Sequence, residues 1–161
     1  MVTAMLVWNN MILFHLLAIV EVVVLYYFYH RIIFNRSPKL LVIAVLILIN
    51  VANSMFNEGI MEFNSTAWSL DIIFLLSLGL MYLYRVYQDL ESVPLDRSPL
   101  FIINTGLLLY FSGSLFTYIL GSKILSKESQ DFFHNAWIIQ SLANIIKNVA
   151  ISYGLWLAKF K

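Results

Sequence analysis

The sequence predicts an all-α fold: an integral membrane bundle of five transmembrane helices, N-terminus outside and C-terminus inside. Three observations predict it. Of the 161 residues, 61% are hydrophobic and only 12% charged, with a mean hydropathy of +0.82. A water-soluble domain of this length has too little interior to hide that much apolar surface. The apolar residues fall into five runs, each near the ~20 residues that cross ~30 Å of hydrocarbon at ~1.5 Å per residue. Lys and Arg, finally, gather in alternate connections between those runs.

The first span covers residues 11–30, with Asn9 and Asn10 placed to cap it and Arg31 closing it. The connection that follows carries Arg36, Lys39 and Pro38, a residue suited to the start of a helix. The second span, 40–56, is a Leu/Ile/Val run that turns polar at Asn50, Asn53 and Asn57. It is short for a span, so tilt or local bilayer thinning has to make up the length. A loop with Glu58 and Glu62 and no basic residue leads to the third span, 66–87, which ends in YLYRVY. A charged linker with Pro94 and Pro99 precedes the fourth span, 100–120, and the fifth covers 133–156. The whole chain reads as a single transmembrane domain without an internal repeat.

Orientation follows the cations. Arg31, Arg36 and Lys39, then Arg85 and Arg97, then Lys159 and Lys161 fall on one side, against Lys123 and Lys127 on the other. The location this implies is multi-pass, in a bacterial inner membrane. Trp8, Trp68, Trp137 and Trp156, with Tyr26, Tyr27, Tyr29, Tyr84 and Tyr87, fall near span ends, where an aromatic belt is expected. No Lys or Arg precedes the first apolar run, so that run reads as a retained span rather than a signal peptide.

Composition also excludes chemistries. The absence of cysteine removes disulfides, thiolate nucleophiles and cysteine metal sites. A net charge of +1 with no basic arm argues against nucleic acid as a partner. His15, His134, Glu21 and Asp71 lack metal-ligand spacing, and no nucleophile elbow or phosphate loop occurs, so no metal and no cofactor are expected. Ser112 and Ser114 have no base at their depth for an intramembrane hydrolase. The expectation is a protein that is not an enzyme.

The fifth span organises the rest. Gln140, Asn144 and Lys147 recur at spacings of four and three and share one helix face. A lysine near the bilayer centre costs roughly 3 kcal/mol on insertion scales, and the one centrally placed acid is Glu21 on the first span. Pairing would offset most of that cost, whether the pair fixes helix register or forms a site. About 7 Å further out, helical rise places His15, Asn53, Asp71, Ser114 and Gln140, one from each span. Such a layer predicts an inward-facing cavity open to the outer side, with His15, Glu21, Asn53, Asp71, Gln140, Asn144 and Lys147 as ligand-binding candidates. The plain alternative for these residues is hydrogen bonding between helices, with Asp71 as an interfacial or capping group. On the fourth span, Gly106, Gly113, Thr117 and Gly121 form a small-residue stripe, read as packing within the chain in preference to a dimer face. Asn64-Ser65-Thr66 is a formal glycosylation sequon in the outer loop.

SPLFIINTGLLLYFSGSLF (98–116), followed by NIIKN (144–148), resembles a group of uncharacterised small polytopic membrane proteins of Bacteroidetes, over most of the chain from Asn9 onward. The resemblance implies a membrane fold of five to seven helices with no assigned activity, this chain being a shorter form without two leading helices. It also implies a sensory role, since some relatives lie near two-component signalling genes. The functional expectation is a sensory or accessory subunit whose partners are the lipid bilayer, a small-molecule ligand, and a membrane protein or a second copy. The alternative is a proton-coupled transporter using Glu21, Asp71, His15 and Lys147. A remote third is a retinal-type chromophore held by Lys147, with Glu21 as counterion.

Overall fold

The structure, a computed structural model, describes residues 10–88, 95–119 and 130–159, and only the backbone of Asp96 and residues 130–134. Five α-helices follow in order: α1 (Met11–Phe34), α2 (Leu40–Phe56), α3 (Ser65–Gln88), α4 (Pro99–Ile119) and α5 (Gln130–Lys159), with a 3₁₀ turn at Leu95–Arg97. The described residues contain no strand. The helices α1, α3 and α4 are long and apolar enough to cross a membrane. α2 is apolar but only 17 residues long, about 25 Å at helical rise. α5 has ample length at 30 residues, but Gln140, Ser141, Asn144, Lys147 and Asn148 dilute its hydropathy.

Local chemistry sets several of the ends. α1 stops at Asn35, the one described non-glycine residue with positive φ (50°), whose N–H bonds the Arg31 carbonyl. Asn10 occupies the N-cap position of α1, but its side chain caps nothing. α4 opens on Pro99, where a missing N–H is harmless.

α5 lies against α4, α4 against α3, and α3 against α1, with α2 beside α1 and α3. The α4–α5 contact is antiparallel and is made of small residues meeting face to face. A Cβ on Gly106 would lie 2.3 Å from the Ala150 Cβ, and one on Gly113 would lie 3.1 Å from the Ala143 Cβ. Thr117 Oγ1 donates to the Ala136 carbonyl at 3.4 Å. The stripe predicted on the fourth span is therefore used within the chain, and Ala136, Ala143 and Ala150 are its complement on α5. Gly121, the last member of the stripe, lies outside the described residues, as do Trp8, Lys123, Lys127 and Lys161.

The predicted aromatic belt needs correction. Tyr27, Tyr84, Tyr87 and Trp156 are exposed, but Tyr26, Tyr29 and Trp68 are core residues. Trp68 packs on Tyr118 with ring centroids 4.3 Å apart and meets the edge of Phe14. Tyr29 donates to Asn104 Oδ1 at 2.9 Å, and Asn104 donates to the Gly79 carbonyl at 3.3 Å, which joins α1, α3 and α4. Position along a helix gives depth, but the direction around its axis decides which side faces inward, and these three face inward.

The close approach at Gly106 is testable. Gly106→Ala should lower the thermal midpoint by several degrees, roughly 1–3 kcal/mol, even though helix propensity favours alanine. Adding Ala150→Gly should restore most of the loss. Gly59→Ala, where the nearest neighbour is a Glu62 side-chain atom at 3.9 Å, should change little. Tryptophan fluorescence during thermal unfolding in detergent checks all three.

Candidate functional site

The helices α1 and α5 flank a cleft of about 550 Å³, floored by α4 and by Trp68 of α3. They barely touch each other along their length. The cleft is bordered from Phe14 to Leu25 on one side and from Trp137 to Ile151 on the other, so it runs along the helices. An ion pair crosses it: Lys147 Nζ lies 3.8 Å from Glu21 Oε1, with the two side chains only 17% and 19% exposed. The same ammonium sits 3.9 Å above the centroid of the Tyr110 ring. A carboxylate and an aromatic face thus share one partly desolvated cation.

A polar line continues from this pair along α4. The Tyr110 hydroxyl interacts with Glu21 on one side and with Tyr118 and Gln140 on the other. Gln140 Nε2 donates to the Tyr118 hydroxyl at 3.2 Å. Gln140 is 7% exposed, and its Oε1 is buried without a partner. Turning the amide changes which end is orphaned, not whether one is. An unsatisfied buried amide costs roughly 1–3 kcal/mol.

A second polar cluster lies apart from the cleft, where the α2–α3 loop folds over the helix ends. Asn50 Nδ2 donates to Asp71 Oδ2 at 3.0 Å. His15 Nε2 lies 3.1 Å from the Glu62 carbonyl, which can only accept, so Nε2 carries a proton. His15 Nδ1 is 2.6 Å from Ser54 Oγ. Glu58 accepts from Asn53 Nδ2 at 2.8 Å, Ser65 Oγ at 2.8 Å, Thr66 Oγ1 at 2.9 Å and the Thr66 N–H at 3.0 Å. This carboxylate caps the α3 N-terminus, where the helix dipole favours negative charge. Burial works against the charged form, but the donors from Asn53, Ser65 and Thr66 outweigh it and hold the Glu58 carboxyl below its ordinary value.

The predicted ligand-binding residues therefore fall into two separate groups. Glu21, Gln140, Asn144 and Lys147 border the cleft. His15, Asn53 and Asp71 do not, because their hydrogen bonds hold the α2–α3 end together. Asp71 lies two turns inside α3 and caps nothing. Ser114 is fully buried and returns its hydroxyl to the Tyr110 carbonyl. The sequon asparagine, Asn64, has no exposed surface and accepts from Asn53, so no glycan can reach it. Tyr110, Tyr118 and Asn50 were missed because the tyrosines read as apolar bulk and Asn50 as one of three equivalent asparagines. Among the described residues no group of three His, Asp or Glu side chains converges as a metal site would. Comparison with models of known protein families, with curated proteins and with solved structures gave no match.

The Glu58 cap gives a pH-dependent expectation. Because its folded-state carboxyl is more acidic than in the unfolded chain, the unfolded chain binds the extra proton and acid favours unfolding. Its stabilisation is complete above the ordinary value of 4.5 and disappears as pH falls through the lower, folded value. Glu58→Gln should cost about 1–2 kcal/mol at neutral pH. The gap in thermal midpoint between variant and parent should close as the scan moves below pH ~4.5.

Proposed function

We propose that this is a five-span inner-membrane protein, N-terminus outside and C-terminus inside, with a sensory or accessory role and no catalysis. Its ligand is a small amphiphile that enters the α1–α5 cleft from the bilayer. The observation that supports this reading best is the Glu21–Lys147 pair, bridging two helices that otherwise hardly touch. An acceptor on the ligand would bind Lys147, and an acyl chain would follow the apolar wall of Leu17, Val20 and Val24. Occupancy would change the spacing of α1 and α5 and so signal to a partner in the membrane.

Trp68 and Trp137 border the cleft, which makes binding visible. A brominated fatty acid added to the protein in lipid nanodiscs should quench tryptophan fluorescence saturably. Lys147→Gln should weaken the saturable component about tenfold or more. A linear, unsaturable response identical in both proteins would sink the proposal.

A second reading, a proton-coupled carrier, is favoured by the line of groups from Glu21 through Tyr110 and Tyr118 to Gln140. Hydroxyls in series can pass protons from a mid-helix carboxyl toward one end of the bundle. Proteoliposomes loaded with a pH-sensitive dye decide it: this reading expects proton flux that Glu21→Gln abolishes, and the sensory reading expects none in either protein.

A further inference from the structure

At the end of the bundle away from the α2–α3 loop, the α1–α2 connection, the start of α2 and the last turns of α3 enclose a second cavity. Its volume is about 710 Å³. Three elements each bring a cation to its wall: Arg36 from the connection, Lys39 from the N-cap of α2 and Arg85 from α3. Among the described residues no carboxylate lines it and none of the three cations forms an ion pair. The α2 N-terminus adds positive potential, having neither a side-chain cap nor an acid in its first turn. His30, buried in the same wall, donates Nδ1–H to the Arg36 carbonyl at 3.2 Å, and its other ring nitrogen has no partner among the described residues. The remaining wall is apolar, with Phe34 and Phe74 prominent.

Three like charges drawn to one concavity repel each other unless an anion joins them. A small hydrated anion would leave the apolar half of the wall unused, whereas a phosphate carrying acyl chains matches both halves. We infer that this cavity binds an anionic phospholipid of the leaflet at that end, its phosphate on Arg36, Lys39 and Arg85 and an acyl chain along Phe34 and Phe74. The inference requires the chain to lie in a membrane and is independent of any ligand in the α1–α5 cleft.

Native mass spectrometry of the full chain with added phosphatidylglycerol, phosphatidylcholine or inorganic phosphate tests it. One phosphatidylglycerol should be retained in preference to phosphatidylcholine, and inorganic phosphate should not displace it. Neutralising each cation should weaken retention about fivefold, and Arg36→Gln/Lys39→Gln/Arg85→Gln together on the order of a hundredfold. Lys159→Gln, a cation on the same end but outside the cavity, should retain the parent affinity. Should the triple variant fail to fold, Arg85→Gln alone, at an exposed helix position, carries the test at about fivefold. Equal retention of phosphatidylcholine, displacement by inorganic phosphate, or parent affinity in the neutralised variant would each overturn the inference.

Discussion

A lysine ammonium set among apolar helices has to be met by something, and how Lys147 is met governs this structure. It reaches across a cleft to Glu21 and rests on the Tyr110 ring, so a single cation links α5 to both α1 and α4. Without it, α1 would be held by its packing on α2 and α3 and by the Tyr29–Asn104 hydrogen bond to α4, since it has little other contact with α5. The pair therefore sets the width of the cleft. At 3.8 Å it is a long contact, and that leaves donors on the ammonium for another acceptor.

The other helix neighbours are joined in a consistent way. His15 and Ser54 tie α1 to α2, and Asn50 and Asp71 tie α2 to α3. Tyr29, Asn104 and Gly79 tie α1, α3 and α4, and Gln140 with Tyr118 ties α4 to α5. In hydrocarbon there is little hydrophobic drive between helices, so close packing and such polar bonds fix register. α1 and α5 have little contact beyond the Glu21–Lys147 pair, and the cleft lies between them.

Much of the fold was legible in the sequence. Apolar runs ended by Arg31, Arg85, Pro38 and Pro99 placed the helices to within a few residues, because apolar length and helix-breaking chemistry act locally. The Glu21–Lys147 pairing was legible because both residues sit far from their helix ends and no other opposite charges share their depth. The polar layer was misjudged because depth is one coordinate and direction around the axis is another. Asn53 and Gln140 share a height, yet one faces Glu58 and the other Tyr118. Tyr110 and Tyr118 were hidden for a related reason, since a tyrosine hydroxyl counts as polar only once its neighbours are known. The role of Glu58 depends on how an irregular loop folds back on α3, which no periodicity encodes.

The most direct measurement is a double-mutant cycle on the central pair, using thermal unfolding of Glu21→Gln, Lys147→Gln and the double variant in one detergent. If the ammonium is held by the acid across the cleft, each single variant strands a charge and unfolds below the double variant, with a coupling of at least ~1 kcal/mol. Additive effects, with the double variant no more stable than the two single losses sum to, would show that the two charges do not answer each other and would remove the basis for the cleft.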